Sequence, residues 1–320
     1  MYEIKVGESP FKPLLDRDAV IADVRSAYAA QLELLKEVTN YGTNLIPRSF
    51  GSSEKALKDV IVIGTLLRQV VAMLDAVEVL TSNGAVYAAG LQARTLFEAS
   101  AYLEWILKQE SEKRAYYYHV HNLRRDRRWA LRMQPGSPEA NAIPAAVRDL
   151  STFKDPSTLQ QSKETVDRIN VILAQPEFVE INKAFDKCAP DPAKFDRPWH
   201  YPLGKRSIGA VISDLGRTDE YTVFYATWSE VTHSSHDGKH VTFGDGIVTF
   251  KTIRELSGFA LLFQFSVGSA IRCYRAILGE YRPGELTAHS RKYLENWRGA
   301  FMNVPKIQYQ SKRTGPAKDH

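Results

Sequence analysis

The stretch 113–132 combines basic and aromatic side chains at a density that indicates binding chemistry. Against the single acid Asp126 it holds seven basic residues, which are Lys113, Arg114, Arg124, Arg125, Arg127, Arg128 and Arg132. Guanidinium groups hold phosphates through paired hydrogen bonds, and aromatic rings such as those of Tyr116 and Trp129 can stack on bases. We therefore predict a nucleic-acid-binding surface from the arginines at 124–132. The alternative is a solvated helix face whose tyrosines pack inward.

A second set of polar residues lies in otherwise apolar segments. Arg94 and Glu98 are four residues apart, and Glu230 and His233 are three apart, so each pair shares one face of a predicted helix. A buried charge needs a partner, and an internal Arg94–Glu98 ion pair is therefore the default interpretation. The sharper hypothesis is a polar pocket that Arg94 and Glu98 share with His233.

The spacing of Glu230 and His233 also permits a metal site. A glutamate followed three residues later by a histidine is a half-site of carboxylate-bridged di-metal bundles, which need two such pairs and two further glutamates. The other predicted helices contain no second Glu-x-x-His sequence. We therefore name no metal ligand and expect no cofactor. His233 remains open to interpretation as a capping residue, a core residue or a catalytic base.

Arg114 and His119 form another candidate pair. Their spacing matches Arg-x4-6-His, and in this respect the segment resembles the HEPN ribonucleases, small helical domains that cleave RNA. The resemblance implies that His119 moves the proton of the 2′-hydroxyl and that Arg114 holds the phosphate charge. Ala115 departs from the family pattern, which often has a polar residue next to the arginine.

Composition excludes several classes of protein. The chain has 320 residues, of which 44% are hydrophobic and 25% charged, so it can fold around a substantial core. Its net charge of +5 is too small to indicate nucleic-acid binding without local clustering. Cys188 and Cys273 form no CxxC motif, and the N-terminal residues include no apolar segment, so we expect a cytoplasmic protein without a secretory signal. The sequence contains no phosphate-binding glycine loop and no Gly-x-Ser-x-Gly nucleophile motif.

Apolar spacing of three and four residues predicts helices along most of the chain. The main predicted helices cover about 16–41, 54–81, 86–109, 111–133, 157–174, 177–187, 219–233, 253–279 and 284–303. Residues 44–53, with Pro47 and Gly51, read as a connection. Two short β-branched runs flank Gly244-Asp245-Gly246 and predict a β-hairpin at about 241–250.

These elements predict an all-α fold, a helical bundle with one small hairpin. We expect a single domain over 1–320, with a helical insertion at about 137–200 and a flexible basic tail at 305–320. Residues 256–271 carry no charge, but a membrane span needs about 20 apolar residues, and this shorter run contains Ser257 and Gln264. We therefore predict a buried core helix there and no membrane association.

Two segments together resemble a known family. One runs from Leu91 to Ala99 and continues to Trp105, and the other runs from Tyr225 to Ser235. They are similar to the bacterial family called domain of unknown function 5677, which has arginine, leucine, phenylalanine and glutamate on one helix and a serine-glutamate with a following histidine-serine on a later one. The resemblance covers about 55–280. It implies a joint site of Arg94, Glu98, Glu230 and His233, and it implies no activity.

The leading functional hypothesis is a protein directed to RNA or another nucleic acid, including a metal-independent ribonuclease of a bacterial defence or toxin system. His233 or His119 would be the general base, and Arg94 or Arg114 would hold the phosphate. Glu98 or Glu230 would orient the partner side chain.

Two alternatives stay open from the sequence. One is a non-enzymatic scaffold or interaction protein, a homodimer or other homo-oligomer formed through apolar helical faces. The other is a di-metal carboxylate protein. The two differ in metal content and in the effect of replacing Arg94 or Glu98 on stability.

Overall fold

Helices account for most of the structure, a computed structural model that describes residues 15–51, 53, 56–144, 147, 150–188, 197–225, 227–229, 238, 240–244 and 247–307. The α-helices are α1 (Arg17–Phe50), α2 (Thr65–Ser82), α3 (Val86–Lys108), α4 (Ser111–Arg132), α5 (Pro138–Asn141), α6 (Ser151–Lys154), α7 (Pro156–Leu173), α8 (Pro176–Cys188), α9 (Ile208–Asp214), α10 (Thr218–Glu220), α11 (Phe259–Tyr281), α12 (Leu286–Lys292) and α13 (Arg298–Met302). The predicted all-α class is confirmed.

Other elements connect or extend these helices. Among the described residues, three π-helices have wider turns than an α-helix: π1 (Leu57–Gly64), π2 (Tyr221–Tyr225) and π3 (Tyr293–Trp297). A short 3-10 turn covers Pro283–Glu285. Strands β1 (Val241–Gly244) and β2 (Ile247–Phe250) pair antiparallel, with Val241 opposite Phe250.

The contacts divide the chain into two compact units. The first contains residues 1–52, 66–101 and 218–320, and the second contains residues 53–65 and 102–217. The prediction of one domain with a helical insertion at 137–200 stays a prediction. Each unit is described by itself below.

In the first unit, α1 packs along α11. Asp16 caps the start of α1 by accepting a hydrogen bond from the Ala19 backbone at 3.0 Å. Tyr28, whose backbone departs from helical geometry, stacks on Phe259 with ring centroids 3.9 Å apart. α1 is kinked at Tyr28, and in the core beside it the side chains of α11 at 262, 263 and 267 are fully buried.

Close approach of α1 and α11 depends on Gly42. A Cβ atom at this position would lie 2.2 Å from the hydroxyl oxygen of Tyr274, a separation that no real Cβ tolerates. Only glycine therefore lets the buried Tyr274 ring lie against α1.

The end of α1 differs from the sequence prediction. The sequence predicted a connection at 44–53, but α1 continues to Phe50. Pro47 lies in its last turn, where Gly51 donates to the Pro47 carbonyl at 2.9 Å.

The C-terminal elements pack an aromatic cluster onto α1. The Tyr41 ring lies 5.4 Å from both the His289 and Trp297 rings and 5.8 Å from the Tyr274 ring, measured between centroids. Trp297 donates to the Glu37 carboxylate at 2.8 Å. His289 is only 5% exposed, and its Nε2 has no hydrogen-bond partner among the described residues.

In the second unit, one face of α4 packs on π1, α7 and α8. The core of this packing is apolar and consists of Val120, Ile169, Leu173, Phe178, Ile181 and Phe185. Tyr116 and Tyr117 pack against the same cluster. The inward packing of tyrosines, considered as the alternative for the arginine-rich helix, is therefore present at these two positions.

In the part of the chain that the structure describes, one helical run is long and apolar enough to cross a membrane, by length and composition alone. The most apolar window of 18 residues within 57–82 has a mean hydropathy of 1.9, and 44% of this window is buried within the protein. Core helices of soluble proteins pass the same test. The membrane expectation therefore stays a prediction.

Burial of His289 predicts acid sensitivity. Burial, and secondarily the charge of Arg275, lower the pKa of His289 below its ordinary value of 6.5. The unfolded chain then binds a proton more readily than the folded chain, so the free energy of unfolding falls as the pH drops through 6.5. We expect His289→Phe to weaken this pH dependence in urea denaturation between pH 7.5 and 5. Identical pH profiles for the two proteins would contradict the prediction.

Candidate functional site

Arg94, Glu98 and Tyr225 form a closed hydrogen-bonded network in the first unit. Arg94 and Glu98 lie one turn apart on α3, with Nε 3.2 Å from Oε1, and Tyr225 belongs to π2. Arg94 Nη2 donates to the Tyr225 hydroxyl at 2.9 Å, and this hydroxyl donates to Glu98 Oε1 at 2.8 Å. The predicted Arg94–Glu98 pair is thus formed, and its third member is a tyrosine that the spacing of charged residues did not identify.

The environment of the network keeps the phenol protonated. Burial, followed by the hydrogen bond to Glu98, raises the pKa of Tyr225 to about 12. Burial also opposes the charge on Arg94, but the contacts with Tyr225 and Glu98 outweigh it and raise the pKa of Arg94. Tyr225 is further held by Tyr221, whose ring stacks on it at 4.8 Å, and by the Arg94 guanidinium, 4.7 Å from the Tyr225 ring centre. Neither pKa shift prepares a general base for neutral pH.

A close contact between Gly90 and Trp228 aligns the network. The six-membered part of the Trp228 ring lies where a side chain of residue 90 would begin, since a Cβ there would be 2.0 Å from Trp228 Cε3. Gly90 is one helical turn before Arg94, and Trp228 is three residues after Tyr225. The glycine therefore sets which residues of the two segments face each other.

Glu230 and His233, the other members of the predicted joint site, lie outside the described residues. Their convergence with Arg94 and Glu98 stays a prediction. Within the described part of the chain, no group of three or more histidine, cysteine, aspartate or glutamate side chains is placed to hold a metal ion.

Arg114 is buried in the second unit. It is 4% exposed, its guanidinium lies 3.7 Å from the Trp105 ring centre, and it donates to the Trp105 carbonyl oxygen. Burial lowers the pKa of Arg114. Trp105 in turn donates from Nε1 to Asp214 at 2.6 Å, and the hydrogen bonds from Trp105 and Lys205 lower the pKa of Asp214. Arg114 thus packs together α3, α4 and α9.

His119 has different neighbours from Arg114. Its ring lies 5.9 Å from the Phe178 ring of α8, and burial lowers its pKa. Five residues of α-helix separate the two side chains by about 140° around the axis, because each residue turns by about 100°. The structure therefore does not bring Arg114 and His119 together as an RNA-cleaving pair would require.

The five arginines predicted to bind nucleic acid divide into two groups. Arg124 contacts Asp186 at 2.9 Å, donates to Asn182 Oδ1, and lies over the Phe185 ring at 5.5 Å. Arg127 donates from Nε to Asn170 Oδ1 at 2.6 Å. These two arginines attach α4 to α8 and α7.

The other three arginines share a solvent-facing side of α4. Arg125 has a side chain that is 56% exposed, and Arg128 and Arg132 are partly exposed. Trp129 lies among them and is 55% exposed, with the Arg132 guanidinium 4.3 Å from its ring centre. We call Arg125, Arg128, Trp129 and Arg132 the α4 face. Its composition suits a polyanion that also has flat apolar groups.

A cavity of about 650 Å³ also lies in the first unit, between the start of α3 and the strand β2 with its following loop. Its lining includes Val86, Trp228 and Leu261. Polar groups on its wall pair with each other: Tyr87 OH lies 3.3 Å from His240 Nε2, and Lys251 and Glu255 form an ion pair. Because these polar groups are paired with each other, the cavity presents a mainly apolar surface. No sequence motif indicated this cavity.

Comparison with known proteins identifies a family. Residues 60–246, more than half of the chain, match the model of a family of unknown function (DUF5677). This range includes α3, α4 and Tyr225, and it lies within the range of the resemblance found from the sequence. Comparison with curated proteins and with solved structures gave no match.

The Gly90 contact predicts an unusual effect of alanine. Gly90→Ala should lower the free energy of unfolding by about 2 kcal/mol, because the new Cβ overlaps the buried Trp228 ring. Gly279→Ala, on α11, is the matched control, since a Cβ there meets no atom within 4 Å. It should stabilise the protein by up to about 1 kcal/mol through helix propensity. Urea denaturation measures both, and equal effects of the two substitutions would contradict the packing argument.

The hydroxyl of Tyr225 predicts a second stability effect. Tyr225→Phe removes one hydrogen bond to Arg94 and one to Glu98, and it should cost about 1–2 kcal/mol of unfolding free energy. Tyr221→Phe, which keeps the stacked ring, should change stability by less than about 0.5 kcal/mol. If chemical denaturation finds the Tyr225 variant as stable as the Tyr221 variant, the network does not stabilise this unit.

Proposed function

Because this chain belongs to a family of unknown function (DUF5677), we propose a function from its own residues: it binds nucleic acid, with RNA as the expected ligand, through the α4 face. The observation that carries the proposal is the placement of Arg125, Arg128 and Arg132 at steps of three and four residues, which gives one continuous basic stripe on the helix. Phosphates are spaced along a nucleic acid strand, and a linear series of guanidinium groups complements them.

Local charge supports this surface better than the total charge does. The net charge of +5 is spread over 320 residues, whereas the last nine residues of α4 hold five arginines and a single acid, Asp126. Arg124 and Arg127 bind partners on α8 and α7, so they contribute to the local potential without needing to reach a ligand. The exposed side chains supply the direct contacts.

Binding without cleavage is the form of the proposal that the described side chains favour. Cleavage would need a base and a phosphate-holding group at one place. Arg114 binds the Trp105 carbonyl oxygen, His119 packs on Phe178, and Arg94 is engaged with Glu98 and Tyr225. Cleavage of RNA with His119 or His233 as the base is the competing outcome, and it is read in the same experiment.

The proposed setting follows from the ligand. We propose that the protein acts in the cytoplasm, where cellular RNA is present. The α4 face lies within one helix of one chain. The proposal therefore needs neither a membrane nor a second copy. A homo-oligomer would present the surface more than once and would raise the apparent affinity for a long strand.

Arg125 and Arg132 should each contribute one phosphate contact. We expect Arg125→Gln or Arg132→Gln to weaken binding of a labelled single-stranded RNA about fourfold at physiological salt. Each variant should also reduce the slope of log binding constant against log salt concentration by about one, the value for one phosphate contact. Fluorescence anisotropy titrations at several salt concentrations measure both quantities. Arg25→Gln, at an exposed arginine of α1, is the control and should leave binding unchanged.

Three outcomes would count against the proposal. Absence of RNA binding by the unmodified protein would remove it, and so would equal losses in the α4 and Arg25 variants, which would indicate nonspecific charge. Shortening of the labelled RNA that disappears in His119→Ala or in His233→Ala would replace the binding function with the catalytic one.

A further inference from the structure

Trp129 differs from the other tryptophans of the chain in its exposure. It is 55% exposed, whereas Trp105, Trp199, Trp228 and Trp297 are each 6% exposed or less. Tryptophan is highly buried on average because exposing its large apolar ring to water is unfavourable. An indole held in solvent on a well-packed helix therefore presents flat apolar surface to a ligand.

The position of Trp129 within the α4 face gives that surface a chemical context. Arg125 lies four residues before it and Arg132 three residues after it, so all three project from one side of the helix. The two arginines are separated by about 10 Å along the helix axis, since each residue rises about 1.5 Å. Trp129 thus lies between two cationic groups, and one of them, Arg132, already lies over the ring.

We propose that the α4 face selects single-stranded nucleic acid, with one unpaired base stacked on Trp129 and flanking phosphates held by Arg125 and Arg132. This inference rests on the proposed nucleic-acid function and adds the class of ligand. Stacking on an aromatic side chain requires an open base face. In a duplex, the base faces are covered by neighbouring pairs, and the arginines could reach only the phosphates.

The charge and packing of α4 favour this occupant over a membrane. A helix that lies on a lipid surface needs a continuous apolar face. The apolar side chains of α4 at Ala115, Val120 and Ala130 are buried in the second unit. The exposed side offers one indole among arginines, which fits a ligand that alternates negative charge with flat rings.

The selectivity follows from comparing two ligands and two variants. With single-stranded RNA and a duplex of the same sequence as probes, the unmodified protein should bind the single strand more tightly. Trp129→Ala should weaken single-strand binding about tenfold, and Trp129→Phe should retain most of it because a ring remains. Duplex affinity should not change in either variant. Val171→Ala, at a residue of α7 that is 68% exposed, is the control for loss of an exposed apolar side chain.

Tryptophan fluorescence gives an independent readout. Because the other four tryptophans are buried, the emission that acrylamide quenches in the free protein should come from Trp129. Single-stranded RNA should reduce this emission, and duplex RNA should leave it unchanged. The quenchable component should be absent from Trp129→Phe.

The results separate this inference from the proposed function. The stacking inference is wrong if Trp129→Ala weakens single-strand and duplex binding equally, or if it weakens neither. The nucleic-acid function still stands in that case, provided that the α4 arginine variants weaken the binding of both RNAs. If neither RNA binds, both are wrong. Binding to vesicles with anionic lipids in preference to RNA, lost in Trp129→Ala, would overturn the choice of ligand.

Discussion

The contact between the Trp228 ring and the bare Cα of Gly90 is the constraint on which the polar network of the first unit depends. A side chain at residue 90 would hold the two segments apart. With glycine there, Arg94, one turn further along α3, lies opposite Tyr225. Glu98, one more turn along, then completes the network through the same hydroxyl. Steric packing thus comes first, and the hydrogen bonds use the alignment that it creates.

The arginines of α4 show that the count of charges in a helix differs from the charge it presents to solvent. Arg114 is buried against Trp105, and Arg124 binds residues of α8. Their guanidinium groups hold elements together through donors that can contact several acceptors at once. Arg125, Arg128 and Arg132 extend from another side of the helix, and these three are the arginines of the proposed binding surface.

Periodicity was sufficient to predict most helices and the all-α class, because an apolar stripe at three- and four-residue steps is a local property. The Arg94–Glu98 contact was predictable for the same reason, since it links residues one turn apart. Tyr225 was not, because it reaches Arg94 across 131 residues of sequence and nothing in its own neighbourhood encodes that distance. Glycine at position 90 permits the close packing seen in the structure, but the sequence does not identify which ring fills the space.

The pairing of Arg114 with His119 shows where a motif is insufficient. The spacing fits the HEPN pattern, but the two side chains point to different neighbours, Trp105 and Phe178. Likewise, Pro47 was expected to mark a connection, yet it lies within the last turn of α1. Both cases depend on tertiary packing, which decides how a local preference is used.

The π-helix Tyr221–Tyr225 makes chain length a constraint in its own right. A π-helical turn accommodates one residue more than an α-helical turn, and here it ends at the tyrosine that contacts Arg94. Deleting one residue within it would rotate the following side chains by about 100°. Tyr225 and Trp228 would then both leave their partners on α3. Relatives that keep this arrangement must therefore keep the number of residues in this turn, although the residue types can change. A sequence alignment of such relatives should have no gap at 221–225.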